Sequence, residues 1–383
     1  MVLLFLLAMV FLLSGTSLAD ELPSGLKSVD SLVETAIQAG EMPGAVVVIG
    51  TTDRVLHKRA YGQRQILPTP ETMTLETVFD LASLTKPIAT ATSVLLLSQQ
   101  GKVDIAAPVS TFLPEFARNG KQEITVAQLL THTAGLIADN ALRDYADGRA
   151  TAWNNICQLK LLAAPGERFV YSDVGFITLG MLVERVSGMN EHEFTEKFLF
   201  GPLKMTQTGY LPGKTVQPRI APMNKEGDVW IRGVVHDPRA RAMDGIAGHA
   251  GLFSTADDLS RYARMILHRG MFEGVRILQP ETIALLLESR PVPGGIRTWG
   301  WDRQTGYSRN KGEGMSPQAI GHGGFTGTGL WIDPQLDLYV IFLSNRLHPD
   351  GRGAVNQLIG RIGTEAVQAI RTDSPSTRDP AGN

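Results

Sequence analysis

The chain of 383 residues carries 36 lysine and arginine residues against 38 aspartate and glutamate residues, a formal net charge of −2. Without a Lys/Arg-rich run, this balance argues against a nucleic-acid-binding protein or one held on an anionic membrane. Hydrophobic residues make up 43% and charged residues 19%, which is typical of a globular protein of one large domain or two modest ones.

The N-terminus has the pattern of an export signal. Residues 2–13 are continuously apolar, and the following SGTSLA ends in a small-x-small pattern at Ser17 and Ala19. This predicts a signal peptide over residues 1–19 and a periplasmic or secreted protein without a stable membrane span after cleavage. No Lys or Arg precedes the apolar run, so retention as an N-terminal anchor is the alternative.

Strand patterns begin soon after this segment. Residues 27–40 predict an amphipathic helix, and residues 45–50 and 54–62 predict two strands around a Thr-Thr-Asp turn. The apolar run over residues 83–99 predicts a long helix that ends before a glycine.

The middle of the chain is helical and the last third is mixed. Helical patterns occupy residues 124–136, 153–162 and 173–188, and Cys157, the single cysteine, has the setting of a small buried hydrophobe. A single cysteine excludes an intrachain disulfide and a thiolate metal cluster. The later elements are a helix over 255–267, strands over 297–302 and 321–345 with a turn at Asp333-Pro334, and a helix over 353–370.

The distribution of elements predicts a sheet built from both ends of the chain. We expect residues 20–98 and 245–371 to form one discontinuous α/β domain and residues 99–244 to form a mostly helical insertion. Residues 372–383 are predicted to be a disordered polar tail.

Ser83 and Lys86 form the first candidate catalytic pair. Residues three apart share a helix face, so hydroxyl and amine would lie close together. A lysine activates a serine only when it is uncharged, and burial in this apolar run would lower its pKa. The same S-x-x-K spacing recurs at Ser24–Lys27 and Ser308–Lys311, where we expect a helix cap and a solvated loop lysine.

Two further motifs follow in the chain. Tyr171-Ser172-Asp173 stands at a loop-to-helix junction, where Asp173 would cap the helix and Tyr171 would carry a proton. His322-Gly323-Gly324 enters a strand whose backbone N–H groups could bind an oxyanion. Tyr145-Ala146-Asp147 and His249-Ala250-Gly251 are weaker matches to the same patterns and are set aside.

The ordered set SLTK, YSD and HGG resembles the serine β-lactamase-like hydrolases, specifically the class C branch with its D,D-peptidases and esterases. The similarity covers about residues 28–371 and includes the flanks LLTHTAGL, PGERFVYSDVGF and GHAGLFSTADDL. It implies an α+β fold: an antiparallel sheet flanked by helices, plus a mostly helical domain, with the site in the cleft between.

The resemblance also implies roles for individual residues. Ser83 would be the acylated nucleophile, Lys86 its base partner and Tyr171 the proton carrier. The oxyanion hole would be the N–H groups of Ser83 and Phe325. Substrate would be bound by Asp173, His322, Gly323 and Gly324, and the implied reaction needs no metal or organic cofactor.

Two departures from class C enzymes bear on the substrate. His322 and Gly323 stand where those enzymes have Lys and Thr, and Asp173 replaces the usual Asn. A partly charged histidine and an added carboxylate disfavour anionic β-lactams. A peptidoglycan-type D-amino-acid peptide and a small ester rank equally as substrates, with β-lactams third. A non-catalytic cell-wall-peptide-binding protein is the alternative from another class, and the sequence leaves the oligomeric state open.

Overall fold

The computed structural model of the protein describes residues 26–373, so the predicted signal peptide and residues 374–383 lie outside the described range. The α-helices within that range are α1 Lys27–Gln38, α2 Thr92–Gln99, α3 Val126–Leu130, α4 Arg149–Gln158, α5 Asp173–Ser187, α6 Glu191–Thr195, α7 Pro238–Ala242, α8 Ala256–Leu267, α9 Pro280–Leu286 and α10 Asn356–Asp373. No helix in residues 26–373 is both long and apolar enough to cross a bilayer.

The strands are mostly short outside the main sheet. They are β1 Gly44–Gly50, β2 Val55–Gln65, β3 Glu71–Thr72, β4 Phe79–Asp80, β5 Lys225–Glu226, β6 Val229–Trp230, β7 Phe253–Ser254, β8 Met271–Phe272, β9 Val275–Arg276, β10 Arg290–Val292, β11 Gly295–Arg297, β12 Asp302–Gln304, β13 Ile320–Gly324, β14 Thr328–Asp333 and β15 Leu338–Ser344.

Both ends of the described chain contribute to one antiparallel sheet. Its nine strands in the described residues run in the order β10-β11-β12-β13-β14-β15-β1-β2-β3. Strand β1 is an interior strand, the seventh in this order, where Val47 is paired with Phe342 on one side and Arg59 on the other. The predicted antiparallel sheet flanked by helices is confirmed.

Alternate residues of β1 enter two separate cores. Val46 and Val48 pack toward the helical body of the molecule, whereas Val47 and Ile49 pack toward α1 and α10. All seven residues of β1 are buried. A strand covered on both faces is expected to be continuously apolar, as GAVVVIG is, and each fully buried valine contributes roughly 1.5–3 kcal/mol.

Several predicted boundaries are wrong. The helix predicted over 124–136 is only Val126–Leu130, because His132 adopts a left-handed backbone (φ 59°) that ends it. Residues 297–302, predicted as a strand, are mostly the connection between β11 and β12. The last helix reaches Asp373, two residues into the predicted tail.

The segment predicted as one helix from Ser83 to Gln99 contains three types of helix in succession. A 3₁₀ turn, Ala82–Leu84, leads into a π-helical stretch, Lys86–Ala91, and only then does α2 begin. Pro87 lacks the N–H that a regular α-helix would use at this point. Such π segments recur at functional sites, and this one begins at Lys86.

Candidate active site

Ser83 projects from a tight turn that is anchored on several sides. Ala82 has a left-handed backbone (φ 47°), which costs about 1–3 kcal/mol for a residue with a side chain. Its N–H donates to Oδ1 of Asp80 at 2.8 Å, and Oδ2 of the same aspartate accepts from the N–H of His236 at 2.7 Å. The N–H of Leu81 donates to Leu252 O at 2.9 Å. These bonds hold the serine turn against the body of the protein.

The structure brings Ser83 and Lys86 together as their spacing predicts. Nζ of Lys86 donates to Oγ of Ser83 at 3.0 Å and to the carbonyl of His249 at 3.1 Å. The Lys86 side chain is completely buried. The hydroxyl and the amine are therefore in direct contact in a water-excluded setting.

The expected uncharged state of Lys86 is wrong for the resting protein. Burial alone would lower the pKa of Lys86, but Oδ1 of Asp173 lies 2.6 Å from Nζ, and the charge of this carboxylate and the nearby Tyr171 outweigh burial. The net effect raises the lysine pKa above its usual value. Burial opposes ionisation of Asp173 too, yet the ammonium keeps the pKa of that carboxyl low. The two form a buried ion pair.

Tyr171 lies next to Ser83 and Lys86. Nζ of Lys86 is 4.8 Å from the centroid of the phenol ring. The Tyr171 Oη is buried without a hydrogen bond of good geometry, yet Ser83 and Lys86 are close enough to act against the rise of its pKa. Burial is the stronger influence and raises the pKa of Tyr171. Tyr171 is thus a neutral phenol facing an ammonium and a serine hydroxyl.

The helix that follows Tyr171 is capped by its neighbour. Oγ of Ser172, not Asp173 as predicted, accepts the N–H of Gly175 at 3.1 Å and caps α5. Asp173 is instead the first residue of the helix, and its carboxylate is free to pair with Lys86. The sequence could not separate these roles, because both Ser and Asp are good caps.

His132 supports the tyrosine from behind. Its Nδ1 accepts the N–H of Ser172 at 3.0 Å, and its ring centroid lies 4.5 Å from that of Tyr171. Burial and the guanidinium of Arg297 lower the pKa of His132 well below its usual value, so the ring is neutral. The flank LLTHTAGL contains this histidine, and its position in that motif was the available signal.

His322 and the glycines after it form the opposite wall. Burial and the charge of Arg297 lower the pKa of His322 to about 3, so it is neutral at physiological pH rather than partly charged as expected. Its Nδ1 lies 2.8 Å from Gly323 O. At Gly324 any Cβ would fall 2.4 Å from Leu81 O, so only glycine lets this strand approach the serine turn.

The strand that carries these glycines, β13, is an interior strand of the sheet rather than an edge strand. It lies between β12 and β14, but in the described residues it pairs with β12 only at Asp302–Gly321. The stretch from His322 to Gly324 therefore borders the cleft and lines it together with Ser83. Phe325, the next residue, is 62% exposed at the mouth of the cleft.

His249, which sequence analysis set aside, lies in the site. Its ring Nε2 is 3.0 Å from Oδ1 of Asp237, and its carbonyl accepts from Lys86. Ligand atoms of Asp173, Asp237 and His249 lie within 4.8 Å of one another, a spacing that a metal ion could use. The Lys86 ammonium already pairs with Asp173 there, so the cluster suits ion pairing better than metal binding. Both Asp237 and His249 are far from Ser83 in the sequence. His249 stands in the flank GHAGLFSTADDL, which was the available signal for it, whereas only the fold reveals Asp237.

The cleft has two lobes that meet at Ser83 and Tyr171. One, of about 390 Å³, includes Asn310, His322 and Arg346, and is here named the Arg346 lobe. The other, of about 430 Å³, includes Asp139, Asp173 and Asp237, and is named the Asp237 lobe. Both share Tyr307 and Phe325 as walls. The serine is therefore reached from two sides, one lined by Arg346 and Asp302 and the other by three aspartates and Arg239.

The competing motifs do not form such a site. The hydroxyl of Ser308 donates to Asp302, and Lys311 donates to the carbonyl of Ser316 at 3.1 Å. Lys311 is half-buried rather than solvated as expected. Tyr145 is buried and donates to Oδ1 of Asn140. Ser24 lies outside the described residues.

Comparison with known proteins gives the same family. Residues 29–363 match the Beta-lactamase family. An N-acetylmuramyl-L-alanine amidase of Bacillus subtilis (strain 168) is 33% identical over 360 residues, covering 84% of this chain and 81% of the relative. A Salmonella agona (strain SL483) protein named as a D-alanyl-D-alanine carboxypeptidase is 29% identical over 361 residues, with coverages of 84% and 83%.

Solved structures share the fold. EstCE1, a hydrolase with promiscuous acyltransferase activity, superposes with a TM-score of 0.72 at 24% identity, over 90% of this chain and 98% of its own. A penicillin-binding protein homologue from Caulobacter crescentus gives 0.73 at 19% identity, over 91% and 98%. With the family match over most of the chain, these results establish that the protein belongs to the beta-lactamase family of serine hydrolases.

Proposed function

We propose that the protein hydrolyses an amide bond in peptidoglycan-derived peptides through an acyl-enzyme on Ser83. The observation that carries the assignment is the 3.0 Å contact between Ser83 Oγ and the buried Lys86 Nζ, at the point where the two lobes of the cleft meet. A nucleophile next to a proton-handling group in a cleft is what acyl transfer requires.

The charge state of the site favours Tyr171 as the group that accepts the serine proton. Lys86 is held as an ammonium by Asp173, so it has no free electron pair. Its positive charge stabilises the tyrosinate that forms when Tyr171, which lines both lobes of the cleft, releases its phenol proton to water there. The tyrosinate then takes the proton of Ser83 and later delivers it to the leaving group. Lys86 thus supports the base rather than acting as one.

Backbone N–H groups would stabilise the oxyanion that forms during acylation and deacylation of Ser83. We assign the oxyanion to the N–H groups of Ser83 and Phe325, which lie on opposite walls of the cleft. Gly323 and Gly324 let the second wall come close enough for this role. Preorganised N–H donors of this kind are worth about 2.7–4 kcal/mol each to the transition state.

The choice of an amide over an ester rests on the closer relatives. The Bacillus subtilis and Salmonella agona proteins are named for amide hydrolysis in cell-wall material, whereas the EstCE1 structure is under 25% identical and informs on the fold alone. The neutral His322 and the carboxylates of the Asp237 lobe also disfavour the fixed carboxylate of a β-lactam. A cell-wall substrate agrees with the export signal predicted for residues 1–19.

A substrate panel tests this proposal. Purified protein is incubated with N-acetylmuramyl-L-alanyl-D-isoglutamine, a peptide ending in D-Ala-D-Ala, p-nitrophenyl acetate and nitrocefin, and products are identified by mass spectrometry. We expect an amide substrate to have the highest kcat/KM and Ser83→Ala to abolish its turnover. Nitrocefin as the best substrate would contradict the assignment, and stoichiometric labelling without turnover of any substrate would indicate a binding protein.

A further inference from the structure

A buried glutamate lies behind the catalytic lysine. Glu191, the first residue of α6, is 2% exposed. It packs against α5 so closely that a Cβ at Gly180 would lie 3.0 Å from its Oε2. This oxygen has no hydrogen bond of good geometry, although the Tyr210 phenol is close enough to interact with the carboxyl group. Isolated buried carboxylates are expensive, so this group needs either a partner charge or a proton.

The hydrogen bonds around Thr90 supply that proton. Oγ1 of Thr90 lies 2.6 Å from the carbonyl oxygen of Gly248 and 2.5 Å from Oε1 of Glu191. A carbonyl can only accept, so the hydroxyl proton of Thr90 is directed to Gly248. The short contact with Glu191 then requires a proton on the carboxyl group, which donates to Oγ1 of Thr90. Glu191 is therefore a neutral acid in this arrangement.

The groups that face Glu191 are consistent with a neutral state. Burial raises the pKa of Glu191 to about 7, although Thr90, Arg149, Tyr210 and His249 act in the opposite direction. Arg149 counteracts only part of this rise in the pKa of Glu191, because its guanidinium is paired with Glu184 at 2.5 Å and donates to the Ile246 carbonyl. His192, the next residue along α6, has its ring against Tyr210.

The hydrogen bonds run from the Glu191 carboxyl group to Thr90 and from Thr90 to Gly248, and both of these residues lead to Lys86. Thr90 belongs to the π-helical stretch that begins at Lys86. Gly248 precedes His249, whose carbonyl accepts from Nζ of Lys86 at 3.1 Å. A Cβ at Gly248 would lie 2.0 Å from Phe176 O, so only glycine lets this loop pack against α5 at that point.

We propose that Glu191, in its neutral form, is a positioning residue that links Thr90 to Gly248 and so holds the His249 carbonyl against Lys86. When Glu191 loses its proton to solvent, its carboxylate accepts a hydrogen bond from the Thr90 hydroxyl, and the hydrogen bond from Thr90 to Gly248 is lost. The carbonyl of His249 is then no longer fixed, and activity falls on the alkaline side of neutrality. This inference rests on the proposed function for Lys86, not on the identity of the substrate.

The test is the pH dependence of kcat for the parent, Glu191→Gln and Thr90→Ser between about pH 5.5 and 9, with p-nitrophenyl acetate or the best amide of the panel. Glutamine is isosteric and donates to Thr90 at every pH, so we expect a kcat within about threefold of the parent at pH 6 and no alkaline decline up to about pH 8.5. Thr90→Ser keeps the hydroxyl and should keep the decline. Glu191→Ala should lower kcat by at least about tenfold with little change in KM.

The proposal is wrong if Glu191→Gln shows the same alkaline decline as the parent, or if the parent shows none. Infrared spectra provide a second measurement that does not depend on turnover. The parent should lose a protonated-carboxyl band between about pH 6 and 8 that Glu191→Gln lacks at all pH values. Activity that survives in Ser83→Ala would instead refute the proposed function, so the two failures are distinguishable.

Discussion

Replacing Asp173 by asparagine removes the carboxylate that lies 2.6 Å from the Lys86 ammonium. At an effective dielectric constant of about 20, unit charges this far apart interact by roughly 6 kcal/mol, an upper bound because Asp173 is 19% exposed. Breaking a buried ion pair by removing one partner costs about 3–5 kcal/mol. We therefore expect Asp173→Asn to lower the free energy of unfolding by about 3 kcal/mol.

The partner mutation and the double mutant separate pairing from packing. Lys86→Met leaves the carboxylate unpaired and should cost a similar amount. The double mutant Lys86→Met/Asp173→Asn contains neither charge, so it should be more stable than the sum of the single effects predicts, by about 2–4 kcal/mol. Urea unfolding of the four proteins gives this coupling free energy.

The urea unfolding experiments should be carried out near pH 7.5. The raised lysine pKa contributes stability below the unfolded pKa of lysine, and this is lost as the pH rises through the folded value. The lowered Asp173 pKa contributes stability above the unfolded pKa of aspartate, and this is lost as the pH falls through the folded value. Between about pH 5 and 9 the pair is fully ionised. Additive single effects, within about 0.5 kcal/mol, would refute the ion pair and with it the charged resting state of Lys86.

Four further predictions concern residues of the cleft. Ser83→Ala should abolish hydrolysis of every substrate with little change in Tm. The control is Ser110→Ala, which should keep full activity because Ser110 lies outside the cleft and donates to the Gln122 carbonyl. Equal losses of activity in both variants would indicate a general effect on folding. Tyr171→Phe should lower kcat by roughly 10²–10⁴-fold with little effect on KM in steady-state assays. A loss of less than about tenfold would indicate that Lys86, not Tyr171, acts as the base. Because the pKa of His322 is about 3, its ring resonances in NMR should not titrate between about pH 5 and 8, and a titration midpoint near 6.5 would show that the burial argument fails. His322→Lys should raise the acylation rate with nitrocefin by restoring a fixed charge, and no increase would locate β-lactam discrimination elsewhere in the cleft.

Local sequence patterns predicted the parts of the site that depend on local geometry. The Ser83–Lys86 contact follows from a three-residue spacing in a wound segment, and the buried strand β1 follows from an uninterrupted apolar run. The motif order also led to the correct family. In each case the interacting residues are close in sequence or the pattern is set by burial alone.

The charge of Lys86 could not be predicted in this way. It depends on Asp173, 87 residues further along the chain, and on the fact that Ser172 takes over the capping role and leaves that carboxylate free. His249 and Asp237 are likewise brought to the site only by tertiary structure. A short pattern such as H-A-G has no local property that separates a structural histidine from one whose carbonyl holds the lysine.

The pairing of β1 with β15 has a consequence for how the protein folds. Val47 is paired with Phe342, so the strands from the two ends of the described chain cannot join until β15 has been synthesised. Partners so distant in sequence close slowly. Shortened products that lack β15 cannot join β1 to β14, because β15 lies between these two strands in the sheet.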